Sequence, residues 1–530
     1  TLTDGSSQGH YTVNNGQYSQ TYADVLVNIN KRIQDFTIVA NIGASYSGVT
    51  SKELGYAGPI RETGIPNLFN VYDLDNAKKR ATQVGWREAT ESIFASAEVG
   101  WKSMLYLTVT GRNDWASQLT HSPQASFFYP SVGLSAVITE ILKLPDWVDY
   151  LKVRGSFSSV GNPYPRFLTY PTYSYDANKQ DWKSQTNYPI GKLYPERTDS
   201  WEVGLDATLF KDFKLSGSFY YANTYNQTFD PRLPVSSGYD KLYVQTGYVR
   251  NYGFEAMLSY GHRWGDFGWD SSFTFSANKN EIVELVKDYV HPETGKTYNV
   301  DKLELKTDEG RGFGKAKFIL KEGGTLGDLY THADLKRDIN GNVLIDDSGN
   351  VTAIDNAGDI KLGSVLPKAN LAWNNSFSYK GINAGFLLTA RLGGIVYSAT
   401  QAYLDLYGVS ETSAAARDAG GVWINGRSRV NPQSFYEVVA SQSGLPTYYT
   451  YSATNLRLQE AHIGYTVPRR WLGNVCDINV SLVGRNLWMI YCKAPFDPEA
   501  VATTNNYYQG IDYFMMPSTR NIGFNIKINF

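Results

Sequence analysis

The chain has 530 residues, enough by length alone for two to four soluble domains, and its formal net charge of −2 gives no indication of nucleic-acid binding. No run of about 18 apolar residues occurs, which argues against a membrane-spanning helix. Tyrosine (39), phenylalanine (24) and tryptophan (12) make up 14% of the chain and glycine adds 48 residues, a composition typical of all-β proteins.

Apolar and polar residues alternate along most of the chain, and a period of two predicts strands with one apolar and one polar face. Residues 1–17 lack this pattern and are expected to form a loop, cut from a longer chain. About fifteen strands are expected in all. The clearest, in chain order, lie near 36–46, 105–114, 131–138, 151–157, 200–210, 213–221, 254–260, 267–277, 367–379, 382–392, 456–467, 476–488 and 521–530.

The connections between these strands alternate in length. Short turns at 31–35, 102–104, 210–212, 262–266 and 379–381 are separated by long connections at about 47–85, 163–198, 286–365, 394–454 and 489–518. In an antiparallel up-and-down meander, this alternation places all short turns at one end of the strands and all long connections at the other. Helix signal is weak, with one short helix expected in 411–420. No internal boundary is evident, so residues 1–530 are predicted to form one β domain.

The apolar faces can contact either another sheet or lipid. A soluble β sandwich also alternates, but here the opposite faces carry serine, threonine, glycine and charged residues that need water. Aromatic residues such as Trp101, Trp201 and Tyr465 lie at the ends of the apolar bands, as at a bilayer interface. A strand of about ten tilted residues spans about 25 Å, the height of an outer-membrane apolar band. We therefore predict a transmembrane antiparallel β-barrel of the bacterial outer membrane, with long extracellular loops and short periplasmic turns.

The last ten residues alternate strictly and finish on an aromatic residue. A final strand of this kind resembles the signal that the outer-membrane assembly machinery reads, although any last barrel strand alternates. The residues assigned to this signal are Phe524, Ile526, Ile528 and Phe530.

Catalytic and metal-binding patterns are weak. The six histidines are scattered without metal-ligand spacing, so we expect neither an enzyme nor a cofactor. The segment 338–350 offers calcium-type oxygens in Asp338, Asn340, Asn342 and Asp346, but its glycine does not match an EF-hand, and a tight hairpin tip is the favoured interpretation.

Ligand contacts are expected from the long connections and the adjoining strand ends. Aromatic rings with polar neighbours can stack on sugars or pack against peptides, although they can equally stabilise the loops themselves. The candidates are Arg112, Asp114, Trp115, Tyr164, Arg166, Tyr170, Tyr173, Tyr175, Trp182, Tyr403, Tyr407, Trp423, Tyr507 and Tyr508.

Several segments together resemble the SusC/RagA-type TonB-dependent transporters of Bacteroidetes, in the order that this family has them. The resemblance covers nearly the whole chain, and as a set its motifs are specific. They are GRNDWAS with FFYPSVGLSAVITE, LKVRGSFSSVGNP, PERTDSWEVGLDATLFKDFKLSGSFYYANTYN, VRNYGFEAMLSY, NLRLQEAHIGYTVPRRW and VSLVGRNLWMI.

The resemblance implies that this chain is the C-terminal part of a barrel of about 22 strands, without the N-terminal extension, plug and first strands. It also implies TonB as the energy source and a SusD-like surface lipoprotein as a lid over an oligosaccharide or oligopeptide. Four carboxylates on polar faces (Glu98, Glu202, Asp206 and Glu255) are expected to line a watery lumen or to pair with plug arginines. The alternatives are a passive porin or adhesin barrel, and a soluble β-rich glycan-binding protein or hydrolase.

Overall fold

The computed structural model describes residues 8–65, 67–168, 173–176, 181–184, 187–188, 193–229, 241–242, 244–290, 295, 297–305, 314–503 and 509–530. Its main sheet has fifteen strands, each hydrogen-bonded to the next one along the chain, so the predicted up-and-down meander is confirmed. The strands β1–β15 are His10–Ile33, Phe36–Pro59, Arg80–Trp101, Leu105–Ala116, Ser126–Val137, Val148–Asn162, Glu196–Leu209, Phe213–Phe229, Val244–Trp264, Phe267–Glu284, Ala369–Tyr379, Ile382–Leu392, Asn455–Val467, Asp477–Cys492 and Asn521–Asn529.

The first strands are longer than predicted. The loop expected over residues 1–17 is wrong from His10 onward, because β1 begins there and pairs with β2 from His10↔Pro59 to Ile33↔Phe36, while residues 1–7 lie outside the described residues. The connection expected at 47–85 is also too long, because β2 and β3 stay paired up to Ala57↔Arg80. Both faces of the strands carry polar residues there, so the period-two signal ends in the sequence although the backbone hydrogen-bond ladder continues.

The predicted short turns are present. The two-residue connection Lys380–Gly381 joins β11 to β12, and both residues have positive φ, 46° and 90°. This is the geometry of a type I′ turn, whose twist matches that of the flanking strands. A Cβ at Gly381 would lie 2.9 Å from the carbonyl oxygen of Thr466, so the turn excludes larger residues.

The apolar faces of the strands are exposed. Leu107 and Val109 in β4 are 43% and 44% exposed, and Trp201 and Val203 in β7 are 59% and 60% exposed. Side chains that formed the core of a sandwich would be buried instead. Among the residues that the structure describes, no helix combines the length and hydropathy needed to cross a bilayer.

The chain divides into two compact units, Thr1–Leu134 with Ser156–Asp199 and Tyr225–Gln245, and Ser135–Gly155 with Ser200–Thr224 and Thr246–Phe530. The first unit contains β1–β4 and, in the connection after β2, a bridge between the fully buried Ile60 and Leu74.

In the second unit, the long connections have a core of their own. A four-stranded sheet, Lys302–Glu304, Ala316–Lys321, Asp328–Thr331 and Ile360–Ser364, buries Phe318, Ile319 and Leu329 completely. A second small sheet, Ile395–Ser398, Thr450–Ser452 and Ile511–Asp512, buries Tyr397, whose hydroxyl donates to the Ser443 carbonyl at 2.6 Å.

Short helices lie in the same unit. They are α1 (Ile138–Ile141), α2 (Ala399–Leu406), α3 (Glu411–Asp418) and α4 (Pro432–Val439). The helix expected within 411–420 is confirmed as α3, and the side chain of Ser410 caps it by accepting from the Ser413 amide. Ser398 caps α2 in the same way.

Candidate functional site

A cavity of about 820 Å³ lies against the polar face of the strands of the second unit. Its lining combines small polar and apolar residues of β8 to β12 with four charged side chains, Arg154, Glu255, Arg391 and Glu499. Period-two alternation positions Arg154, Glu255 and Arg391 on the polar faces of β6, β9 and β12, whereas Glu499 reaches the cavity from the connection after β14. The arrangement is suited to holding a polar solute by hydrogen bonds and ion pairs.

The predicted polar-face carboxylates are partly paired within the wall itself. Arg154 of β6 bonds both Glu202 (3.2 Å) and Asp206 (2.9 Å) of β7, and Ser216 of β8 donates to Asp206 at 2.6 Å. A Cβ on Gly204 would lie 2.6 Å from Nε of Arg154, so a larger residue here would require the arginine side chain to shift. The wall therefore contains its own partner for Glu202 and Asp206.

The start of β13 carries a buried ion cluster that the sequence analysis missed. Arg457 donates to both carboxylate oxygens of Asp497, at 2.8 and 3.3 Å, and its Nη2 lies 3.1 Å from Glu499. Burial would raise the pKa of Asp497, but hydrogen bonds from Ser518 and Arg457 outweigh it and hold the pKa below its ordinary value. An arginine on the polar side of a strand start, followed by the acidic stretch FDPEA, was the available signal.

The predicted residues of β4 separate into two groups. Arg112 bonds Asp114 at 2.7 Å and Ser92 at 2.8 Å, and the Tyr129 hydroxyl also donates to Asp114. These polar side chains form one network on the first unit's polar face, where Asp114 is buried.

Trp115 does not join that network. It lies one residue further along β4, on the face of Leu107 and Val109, and is 41% exposed. The parity of the strand therefore places the ring on the apolar side. A ligand contact by Trp115 stays a prediction.

The predicted residues Tyr164 and Arg166 follow β6. Tyr164 is buried, and Arg166 forms an ion pair with Glu88 while its guanidinium lies 3.7 Å from the centroid of the Trp86 ring. A stacked and paired arginine of this kind fastens the connection to the polar face of β3.

Three other predicted aromatics lie on one hairpin, Tyr173–Asp176 with Asp181–Ser184. Tyr175 pairs with Trp182 across the hairpin, with ring centroids 5.3 Å apart, and Tyr173 lies two residues before Tyr175 on the same side. The three residues are 66%, 53% and 65% exposed, in the order Tyr173, Tyr175 and Trp182.

The candidates in the second unit differ in exposure. Tyr403 packs against Phe514 with centroids 5.4 Å apart, whereas Tyr407 at the end of α2 is 75% exposed. Trp423 is 55% exposed and stacks on Arg429, whose Cζ lies 4.4 Å from the ring centroid. Tyr170, Tyr507 and Tyr508 lie outside the described residues.

The expected tight turns are present in 338–350. Oδ1 of Asp338 accepts from the amides of Asn340 and Asn342, both at 2.8 Å, and Asp346 accepts from Ser348 and Asn350 at 2.9 Å. Hydrogen bonds from Asn342 lower the pKa of Asp338. Within the described part of the chain, no three His, Cys, Asp or Glu residues cluster as a metal site. Calcium binding here stays a prediction.

The terminal residues assigned to the assembly signal share one face of β15. Phe524 pairs with Leu482, Ile526 with Val480 and Ile528 with Ile478 of β14. Phe524, Ile526, Ile528 and the final Phe530 are 78%, 55%, 48% and 86% exposed. Their role in assembly stays a prediction.

Comparison with known proteins agrees with this architecture. A family model described as "TonB dependent receptor-like, beta-barrel" matches residues 1–487. TonB-dependent receptor P3 of Formosa agariphila is 24% identical over 524 residues, which are 92% of this chain and 50% of that protein. TonB-dependent receptor SusC of Bacteroides thetaiotaomicron is 24% identical over 433 residues, 75% of this chain and 40% of that protein. The chain thus spans about half the length of the curated relatives it matches.

Among solved structures, that of the RagAB peptide transporter superposes with a TM-score of 0.74 at 17% identity, over 98% of this chain and 56% of that chain. At this identity the likeness shows the fold. The predicted resemblance, the transmembrane β-barrel fold and the outer-membrane localisation are confirmed. The chain belongs to the TonB-dependent receptor-like β-barrel family.

Proposed function

We propose that the full-length protein actively imports a bulky nutrient, an oligosaccharide or an oligopeptide, across the outer membrane with energy delivered through TonB. The observation that supports this most is the charged cavity of about 820 Å³ on the polar face of a transmembrane sheet. Such a wall binds a polar solute through side chains and needs no covalent chemistry. Family membership supports the coupling to TonB and a receptor or transporter role rather than an enzymatic one.

The proposal includes a SusD-like surface lipoprotein that covers the long connections. Support comes from the likeness to SusC and to RagAB, and from the folded sheets and helices that the long connections carry. A connection with a buried core presents a fixed surface, and a fixed surface lowers the entropy cost of binding a protein partner.

The test is uptake of labelled peptide and glycan mixtures by three strains: wild type, a deletion of this gene, and a strain with TonB removed. Active import predicts that one class of nutrient is lost equally in both mutants. Uptake that needs this gene but continues without TonB would identify a passive porin and refute the proposal. Co-purification of a lipoprotein with the tagged transporter tests the lid, and its repeated absence would contradict that part.

A further inference from the structure

The lipid-facing side of the second unit carries two cations at one end of neighbouring strands. Arg250 of β9 and Lys279 of β10 lie on the same face as Phe254, which is 47% exposed, and opposite the polar wall of the cavity. The register pairs Arg250 with Glu281 and Tyr252 with Lys279, so the two cations are diagonal neighbours. Both strands have a hydrogen-bonded strand on each side, so this face belongs to the middle of the sheet and not to an open edge.

The height of these cations matches the outer border of the bilayer. Trp264 and Phe267 flank the short turn between β9 and β10, with ring centroids 5.9 Å apart, and mark the inner border as an aromatic girdle does. From Trp264 to Arg250, at about 3.3 Å per residue and a tilt near 45°, the strand rises about 33 Å. An apolar band of about 25 Å ends below this level. Arg250 and Lys279 therefore lie at the extracellular end, where the headgroups of the outer leaflet begin.

Tyrosine rings hold both cations in place. Nζ of Lys279 lies 5.5 Å from the ring centroid of Tyr252. Cζ of Arg250 lies 5.5 Å from the ring centroids of Tyr221 and Tyr248, and its Nη2 donates to the Tyr248 hydroxyl at 2.9 Å. Cation–π contacts of this kind restrict the long side chains without neutralising their charge. We call the two cations and these three tyrosines the outer cation patch.

The outer cation patch has little counter-charge of its own. The Glu281 carboxylate lies 3.9 Å from Nη1 of Arg250, beyond hydrogen-bond distance, and Lys279 forms no ion pair with any residue that the structure describes. At the same end of β13 and β14 the lipid-facing residues Leu456 and Trp488 are uncharged. Cations on a lipid-facing surface are costly unless they reach the headgroup level, where anionic groups attract them. Two of them in one place therefore favour a bound phosphate.

We propose that the outer cation patch binds a phosphorylated glycolipid of the outer leaflet, a lipid A-type molecule, with one phosphomonoester between Arg250 and Lys279. Diagonal residues on neighbouring strands lie about 7–8 Å apart, so both long side chains can reach the same phosphate. The exposed rings of Phe219, Phe254 and Phe273 lie on the same face below the patch and offer an apolar surface to acyl chains. The inference concerns the outer wall and does not depend on the cargo that the transporter carries.

The experiment measures lipid binding to the purified full-length transporter in detergent by native mass spectrometry. The probes are lipid A with its phosphates, the same lipid after removal of the phosphates, and phosphatidylglycerol. Removal of the phosphates is expected to weaken binding about 25-fold, because each of two cations near a membrane surface contributes about fivefold. Phosphatidylglycerol is expected to bind about fivefold more weakly than lipid A, because its phosphodiester carries one negative charge whereas a phosphomonoester carries nearly two.

Three variants assign the contact. Arg250→Gln and Lys279→Gln should each weaken binding of phosphorylated lipid A about fivefold and leave binding of the dephosphorylated lipid unchanged. Glu281→Gln should instead strengthen binding about twofold, because it removes the carboxylate nearest Arg250; a general folding defect would have the opposite sign. The matched control is Lys380→Gln at the opposite end of the sheet, where Nζ lies 5.4 Å from the Tyr379 ring centroid, and it should leave all three affinities unchanged.

Equal binding of phosphorylated and dephosphorylated lipid A by the wild-type protein would overturn the inference without relying on any variant. The same conclusion would follow if phosphatidylglycerol bound as tightly as lipid A, since the patch would then be a site for any anionic lipid. An equal loss of binding in Lys380→Gln would also overturn it, because the effect would then come from overall charge and not from this patch.

Discussion

The buried cluster at the start of β13 yields a quantitative prediction. Arg457 is 6% exposed and Asp497 is 10% exposed at the side chain, so water screens their bidentate contact little. Arg457→Met keeps the length of the side chain but leaves the Asp497 carboxylate buried without its cation. Removing one partner of a buried ion pair costs about 3–5 kcal/mol.

The lower end of that range, about 3 kcal/mol, corresponds to about a hundredfold increase in opening of the connection after β14. Glu499 adds little to this value, because its side chain is 42% exposed. The opening is local, since the strands of the sheet keep their own ladder. It should therefore appear in the connection and not in β13 or β14.

The assay is hydrogen–deuterium exchange of the purified protein. The reporting amides are Ala500, which donates to the Asp497 carbonyl at 3.1 Å, and Ala502, which donates to Ile511 at 2.8 Å. Both should exchange about a hundredfold faster in Arg457→Met. The control is Arg485→Met, because Arg485 pairs with Glu460 at 3.0 Å but is 68% exposed and should change the rate by less than about threefold.

The pH dependence has a definite sign. Because the pKa of Asp497 is lowered in the folded protein, its contribution is present above about pH 4 and lost as the pH falls through that lowered pKa. The rate difference between wild type and Arg457→Met should therefore shrink in acid. Unchanged exchange in the variant at neutral pH, or a difference that grows in acid, would refute the reasoning.

Three further predictions follow from single contacts. Hydrogen bonds from Lys302 and Lys321 hold the pKa of Asp359 well below its usual range. Asp359→Asn should therefore speed proteolysis of the connection before β11 at neutral pH, with a smaller effect near pH 2. Equal cleavage of variant and wild type at neutral pH would contradict this. Gly381→Ala, at φ 90°, should lower the free energy of unfolding by about 1–2 kcal/mol, which heat-modifiability gels would show as a lower unfolding midpoint; an unchanged midpoint would count against the turn assignment. Phe530→Ser should reduce the assembled protein in outer-membrane fractions several-fold at unchanged synthesis, and normal levels would dismiss the assembly signal.

The strands were predictable because their apolar and polar side chains lie on opposite faces, in different surroundings. In β7, Trp201 and Val203 face one side while Glu202 and Asp206 face the other, and this contrast is visible in the sequence as a period of two. Where both faces are polar, as in β1 near Asn14 and Asn15, the contrast vanishes although the ladder persists, so the boundary was misplaced.

The candidate site was harder to predict, for a geometric reason. Trp115 was grouped with Arg112 and Asp114 by its place in the chain, although strand parity alone places it on the opposite face. The contact of Arg457 with Asp497 spans 40 residues, and the alignment of the cavity-lining residues Glu255, Asn370 and Arg391 depends on the register of four strands. The register between two strands is fixed by how they pair in the folded protein, so the sequence of one strand alone does not predict it.

The two ends of the sheet differ in how freely they can change. A connection such as Lys380–Gly381 has no spare residue, so an insertion there shifts the partner strand by one position and exchanges its lipid and water faces. At the opposite end the entropy cost of a longer loop grows slowly with its length. New binding surfaces can therefore be grafted onto that end while the strand register of the wall stays intact.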